Sequence, residues 1–457
     1  MSDRKIIAQH AATVLVGQIA VIGFGMADTV ITGRYSPQAQ AVLALASSIY
    51  ISIFVALNGL IQALLPVWAE LRGAGREADI GRSVRQALYI TGLSCVMGMV
   101  LMSHPDPWLA ATEVPVELWP EVRHYMQVLA LALVPSLLFR LYGTLNQSLG
   151  LPRLVSWLQA GALLVKVPLS AWFTFGGLGL PGMGVVGCAW ATLVVYALML
   201  SVGLVLLRTQ DLYLPYRFWL PLERPQWPVL RRFLALGIPA GLSVMVEVTS
   251  FTMMALFIAR QGAAALASHQ IATSIAALLF MLPLALGIAT SARTGYWLGA
   301  RQPARARHAA GQGVVLALVM ALFCALLLWT LRHPLAQAFS KDEQVAAAAG
   351  GWLAWVAVYH LGDALQGVCL FVLRCYRITL APLLIYATLL WGVGLYGGYT
   401  LAYQGLGPWA ARHSVDAFWI MSTVAVSCVS VLFLGLLWHK ASALRHQHMA
   451  PQPATTA

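Results

Sequence analysis

The sequence predicts an all-α polytopic membrane protein of twelve transmembrane helices, and three observations carry that prediction. Of its 457 residues, 60% are hydrophobic. Only 10% are charged, against roughly 25% in a soluble globular domain. The apolar residues fall in runs of about 20, the length a helix needs to cross a bilayer core. A water-soluble fold of this length cannot hide so much apolar surface, so lipid is the solvent for most of it.

Taken in order, the spans read as residues 12–33, 39–65, 87–104, 122–147, 153–175, 184–207, 231–259, 264–291, 309–331, 345–374, 380–403 and 414–439. With the N-terminus inside, the outer loops carry only Arg34, Arg123, Arg260, Arg332, Lys341 and Arg412. The other loop lysines and arginines fall on the inner side, so both termini are expected in the cytoplasm. The loop of Asp106, Glu113, Glu117 and Glu121 then lies outside. The formal net charge of +12 is thereby a topology signal; it gathers into no patch or arm of the kind nucleic acid needs. Arg72, Arg76, Arg374 and Arg377 read as topology and gate residues in cytoplasmic loops. The run after Arg4 and Lys5 ends in no cleavage motif and reads as a retained first helix. The six cysteines make no CxxC pair, which argues against zinc and against a disulfide framework.

A connection rich in proline, with Pro215, Pro221, Pro225 and Pro228, divides the chain. It gives an N-lobe over 1–207, a cytoplasmic linker over 208–230, a C-lobe over 231–440 and a cytoplasmic tail over 441–457. The halves echo one another. LALASSI at 43–49 answers AALASHQI at 264–271, and LRGAGR at 71–76 answers WLGARQ at 297–302. Six spans per half put the ends of each half on one side, so the repeats are parallel and related by a pseudo-two-fold axis along the membrane normal. Two six-helix bundles around a cleft are expected.

Three carboxylates lie inside apolar runs: Asp28 in FGMADTVITG, Glu247 in SVMVEVTSF and Asp363 in YHLGDALQG. A charge at mid-membrane costs roughly 2.5–3.5 kcal/mol on insertion scales, so it seldom persists without a role. A bound proton or cation restores neutrality to a carboxylate in low dielectric. The plainer alternative for each is a structural pair with a neighbouring helix.

The motifs around these carboxylates resemble those of the multidrug and toxic compound extrusion family, NorM-type branch. ADTVITG at 27–33 looks like its first-helix signature, LLPVWAELRGAGR at 64–76 its second-helix exit and GMGVVGCAWAT at 182–192 its sixth-helix entry. VEVTSF at 246–251 is similar to FEVTxF, and YHLGDALQGVCLFVLRCYR at 359–377 to the tenth helix. The resemblance implies an antiporter working by alternating access, without catalytic residues or cofactor. It would export amphipathic, mostly cationic aromatic compounds in exchange for H+ or Na+. It implies a cation site, open to Na+, at Glu247, Asp363 and Tyr359, which lies one helical turn before that aspartate. Asp28 would be the coupling carboxylate of the N-lobe. A monomer in the bacterial inner membrane, in contact with lipid, completes the expectation.

The chain also departs from the family pattern. Where the fifth helix usually carries asparagines, this one reads LLVKVPLS, with Lys166 and Ser170. An ammonium there can occupy the position of a cation beside Asp28; the alternative is a lysine that snorkels to the headgroups, helped by Pro168. His360 stands where the pattern has glutamine, either as a proton relay to Asp363 or as a plain polar lining. Arg140, about seven residues from the end of its span, is near enough to snorkel. Thr13 stands where a helix-bending proline usually falls.

Many aromatic residues belong to an interfacial belt near span ends: Trp68, Trp108, Trp119, Trp219, Trp227, Trp329, Trp409 and Tyr403. Tyr50, Phe251, Phe280, Trp355 and Tyr386 lie deeper and are candidate substrate-cavity residues. No GxxxxGKS loop occurs, which argues against ATP as the energy source. Two other classes make demands that can be compared with these residues. A flippase or exporter for a lipid-linked precursor or metabolite would need several deep cationic residues, and a membrane enzyme would need clustered catalytic groups at one face.

Overall fold

The computed structural model describes residues 2–111, 115–177, 179–340, 342–405 and 410–449. Glu113, Lys341, Trp409 and the 450–457 end of the tail lie outside the described residues. Among the described residues, twelve helices are long and apolar enough to cross a membrane. They are α1 (Asp3–Tyr35), α2 (Pro37–Gly73), α3 (Glu77–Ser103), α4 (Val116–Ser148), α5 (Pro152–Phe175) and α6 (Val185–Thr209). After them come α7 (Trp227–Ala259), α8 (Ala263–Gly299), α9 (Pro303–Phe339), α10 (Glu343–Cys375), α11 (Leu380–Tyr403) and α12 (Asp416–Ala443). Among the described residues there is no strand beyond an isolated bridge between Gly177 and Leu180.

Local sequence fixes several helix ends. Ser36 accepts a hydrogen bond from the Ala39 amide at 3.0 Å, with Pro37 in the first helical turn, and so starts α2. Asp342 caps α10 by accepting from the amides of Gln344 and Val345 at 2.9 and 3.1 Å. Gly176, with φ of 81°, ends α5. Inside α11 the backbone widens to a π-helix over Ala387–Tyr396.

The chain forms two compact units, Ala12–Gly241 and Leu242–Ala457 with Met1–Ala11. In the first, α4 packs against α2, α3 and α6, and 78% of its apolar stretch is buried. In the second, α10 packs against α8, α9 and α12, and 83% of its stretch is buried. Every other span is buried over less than half of its stretch, so α4 and α10 are the surrounded helices of their units. Within the first unit, α2 and α7 approach closely at glycine: a Cβ on Gly59 would stand 2.8 Å from the Gly241 Cα. Small residues at such crossings let helices pack without a hydrophobic drive from water.

Polar residues at helix ends depart from the simple loop reading. The third helix begins at Glu77, so Arg82 and Arg85 stand on it and not in a loop. Arg85 is buried and donates to both Glu223 carboxylate oxygens, at 3.2 and 2.5 Å, and to the Arg217 carbonyl at 2.6 Å. Gln86 accepts from the Gln226 amide at 2.8 Å, and Tyr89 donates to the Glu223 carbonyl at 2.9 Å. The proline-rich connection is therefore docked along α3. Trp68 is no belt residue: it is fully buried and donates to Ser83 Oγ at 2.9 Å, because α2 continues as helix past Leu64. In the second unit Asp3 accepts from Arg293 at 2.6 Å and from the Trp297 indole at 3.1 Å.

Candidate functional site

In the first unit the carboxylate of Asp28 on α1 meets the ammonium of Lys166 on α5. Lys166 Nζ lies 2.8 Å from Oδ1 and 2.9 Å from Oδ2. The same nitrogen reaches the Cys188 carbonyl at 3.0 Å and Thr192 Oγ1 at 2.8 Å, both on α6. Ser170, one turn after Lys166, donates to Asp28 Oδ1 at 3.0 Å. Lys166 is 0% exposed, so it does not snorkel. An ammonium has three donors, and here aspartate, carbonyl and hydroxyl take them all. The low-dielectric cost of the two charges is offset by mutual attraction and by these hydrogen bonds.

Arg140 stands on α4, the most buried helix of its unit, and its side chain is itself half-buried. Its side chain lines a small recess with Phe54, Ser136, Phe139, Gln147, Gln159 and Tyr196 among the walls. Tyr50, from the predicted cavity set, stacks on the Phe54 ring at 5.4 Å.

In the second unit Glu247 on α7 and Asp363 on α10 share one amide. Gln366 Nε2 donates to Glu247 Oε1 and to Asp363 Oδ1, each at 3.1 Å. All three side chains are buried. Tyr359, Asp363 and Gln366 fall at i, i+4 and i+7, which is one face of α10. Beside them lies a small cavity lined by Glu247, Phe251, Met254, Tyr359, Ser422 and Val426 among others. Phe251, Tyr359 and Trp419 form a ring trio: Phe251–Tyr359 and Tyr359–Trp419 stand edge to face with centroids 5.9 Å apart, and Phe251–Trp419 are at 6.4 Å.

Other predicted residues are not brought to this cluster by hydrogen bonds. His360 is buried, with its Nε2 unpartnered among the described residues. Tyr386 is fully buried and stacks on Phe433 at 5.3 Å; it does not line the cavity but is within electrostatic reach of Glu247 and Asp363. Phe280 packs near Gly367, and Phe280 and Trp355 are half-buried outside the lining. Arg374 stands on α10 and not in a loop; it is 1% exposed, its guanidinium 4.5 Å from the Phe371 ring centroid. Gln366, Trp419 and Thr192 escaped the sequence reading. Gln366 had a signal, an amide three residues after Asp363 in an apolar run; Thr192 and Trp419 had none that set them apart.

Twelve membrane-spanning helices, with ionisable clusters buried at the middle of each unit, define a polytopic membrane transporter. The chain belongs to the MatE family, the multidrug and toxic compound extrusion transporters, which it matches over residues 14–172 and 239–400. It is similar to the probable multidrug resistance protein NorM of Aromatoleum aromaticum, 37% identical over 94% of this chain and 92% of that one. It is also similar to the multidrug resistance protein PmpM of Pseudomonas aeruginosa, 34% identical over 89% and 85% of the two chains. Among solved structures, the Vibrio cholerae MATE transporter VcmN in its bent form superposes with a TM-score of 0.85 at 18% identity, covering 99% of both chains.

Proposed function

We propose that this protein is a secondary antiporter of a bacterial inner membrane, with both termini cytoplasmic, that exports amphipathic and mostly cationic aromatic compounds in exchange for H+ or Na+. The observation that carries the reading is the pair of buried carboxylates, Glu247 and Asp363, held on one Gln366 amide beside a cavity walled by Phe251 and Tyr359. Two carboxylates this close in low dielectric cannot both stay anionic and empty at little cost. A proton or a sodium ion answers that cost in one state, and an organic cation against the rings and carboxylates answers it in the other. One site thereby binds either cargo, and exchange follows because occupancy by one lowers affinity for the other. Asp28 has its counter-ion built in as Lys166, so the exchange is assigned to the second unit. Among the named relatives, NorM and PmpM carry multidrug resistance in their names, which supports a broad substrate range. The protein works as a monomer, with lipid around its spans.

The test is everted membrane vesicles holding the protein, given a fluorescent cationic dye and, separately, a proton or a sodium gradient. One of the two gradients is expected to drive dye movement. Dye movement equal to that of vesicles lacking the protein, under both gradients, would overturn the proposal.

A further inference from the structure

The second unit keeps a positive charge of its own among its buried side chains. Arg374 stands three helical turns after Asp363 on α10, so the two share a face of that helix. Helical side chains lean toward the N-terminal end of their helix. The Arg374 guanidinium does so, resting 4.5 Å from the ring centroid of Phe371, three residues earlier. It therefore points back along α10 toward the carboxylate pair. None of its three nitrogens has a hydrogen-bond partner among the described residues, and the residue is 1% exposed. Glu247 is a carboxylate within its electrostatic reach. The buried Tyr386 hydroxyl, also without a hydrogen-bond partner among the described residues, is within reach of both.

A guanidinium keeps its proton at any ordinary pH, and a ring face answers only part of its charge. A buried ion with no counter-charge is costly, and here the counter-charge is the Glu247–Asp363 pair, which faces the guanidinium without a hydrogen bond to it. The attraction acts in both directions. Two empty carboxylates carry two negative charges, and Arg374 offsets one of them, so a single monovalent cation completes the neutralisation. Asp28 in the first unit shows the other arrangement, in which Lys166 touches the carboxylate and fills it. A charge held at a distance loosens the site without filling it. We infer that Arg374 is a positioning residue of the exchange site, a fixed positive charge that weakens the hold of Glu247 and Asp363 on every cation so that the bound one can leave. The inference rests on the reading of that pair as the exchange site. A unit charge about 10 Å away in a protein interior alters the affinity of a cation by roughly tenfold.

The test is binding to the full protein in phosphatidylcholine nanodiscs at about pH 9, where protons compete least. The probes are ethidium, a flat aromatic cation, and its uncharged parent, the diamino-phenylphenanthridine without the N-ethyl group. Site binding is the part of ethidium binding lost in the Glu247→Gln, Asp363→Asn double variant. Arg374→Met and Arg374→Gln should each bind ethidium about tenfold more tightly than the wild type and the neutral ring equally well. Arg374→Lys, which keeps the charge, should keep the wild-type ratio of the two affinities. In everted vesicles the tighter binding should appear as slower ethidium turnover per molecule. Binding of the neutral ring and the melting temperature report that each variant is folded. A purely structural arginine would move both probes alike. Weaker or unchanged ethidium binding in folded Arg374→Gln, or an equal change for the neutral ring, would overturn this inference and leave the exchange-site reading standing. Ethidium binding that is the same in the wild type and the double variant would overturn the exchange-site reading, and this inference with it.

Discussion

Lys166 holds both carboxylate oxygens of Asp28, at 2.8 and 2.9 Å, and completes its ammonium on the Cys188 carbonyl and Thr192 hydroxyl. The carboxylate of the first unit therefore carries a covalently tethered cation in place of an exchangeable one. Among the described residues no cation hydrogen-bonds to Glu247 or Asp363 in the second unit; the neutral Gln366 amide is what they share, and the buried Arg374 guanidinium is within electrostatic reach of Glu247. The two clusters differ in kind: a paired joint between α1, α5 and α6, and a carboxylate pair on α7 and α10 that is the proposed exchange site.

Removing one member of the fixed pair leaves a buried charge alone. Lys166→Met is expected to destabilise the protein by about 3–5 kcal/mol, read as a lowered melting temperature in detergent. Lys166→Met combined with Asp28→Asn should recover most of that loss, because no charge is left unpaired. Simple addition of the two single effects in this double-mutant cycle would show that the contact does not carry stability.

Gln366 sits where two carboxylates converge, so its loss should act on transport more than on folding. Gln366→Leu is expected to lower dye transport about tenfold or more, since hydrogen bonds to charged groups are worth about 1.5–3 kcal/mol. Expression should stay near wild type. Combined with Asp363→Asn, the loss should be little greater than that of Asp363→Asn alone. A transport rate equal to wild type in Gln366→Leu would remove the amide from the site.

The docked connection gives a pH signature outside the membrane. The hydrogen bonds from Arg85 hold the Glu223 carboxyl below its ordinary value of 4.5. A depressed folded-state value favours the charged form, so the contribution is complete above pH 4.5 and is lost as the pH falls below it. Glu223→Gln should lower stability by about 1 kcal/mol or less near neutrality, given the partial exposure of Glu223. The difference between Glu223→Gln and wild type should shrink in melts at acid pH, and a constant difference from pH 7 to pH 3 would contradict the linkage.

How much was legible in the sequence varied with the kind of residue. Hydrophobic run length exposed all twelve spans, since bilayer thickness imposes it on each helix separately. It could not show that α3 starts at Glu77, because that first stretch is polar and packs under the connection. Asp28, Glu247 and Asp363 stood out because charge is rare at mid-span. Lys166 and Ser170 stood out only against a family pattern. Gln366 and Trp419 did not, since an amide or an indole is common in such helices and only tertiary packing puts it beside a carboxylate or ring. Arg374 reads as a loop residue because run length does not show that α10 continues as helix through Cys375. For Arg140, distance from the helix end does not show which neighbours pack around it, and α4 and α10 are the two most buried spans.

The central claim is that one cation leaves the Glu247–Asp363 pair when an organic cation binds. Its most direct measurement adds a cationic dye to the purified protein in weakly buffered detergent and follows proton release with a pH electrode, or release of pre-bound radioactive sodium. The account predicts release of one of these cations on dye addition to the wild type, saturating with dye occupancy. It predicts no release from Asp363→Asn or Glu247→Gln of matched stability. Dye binding to the wild type with no release of either cation, or undiminished release from both variants, would contradict it.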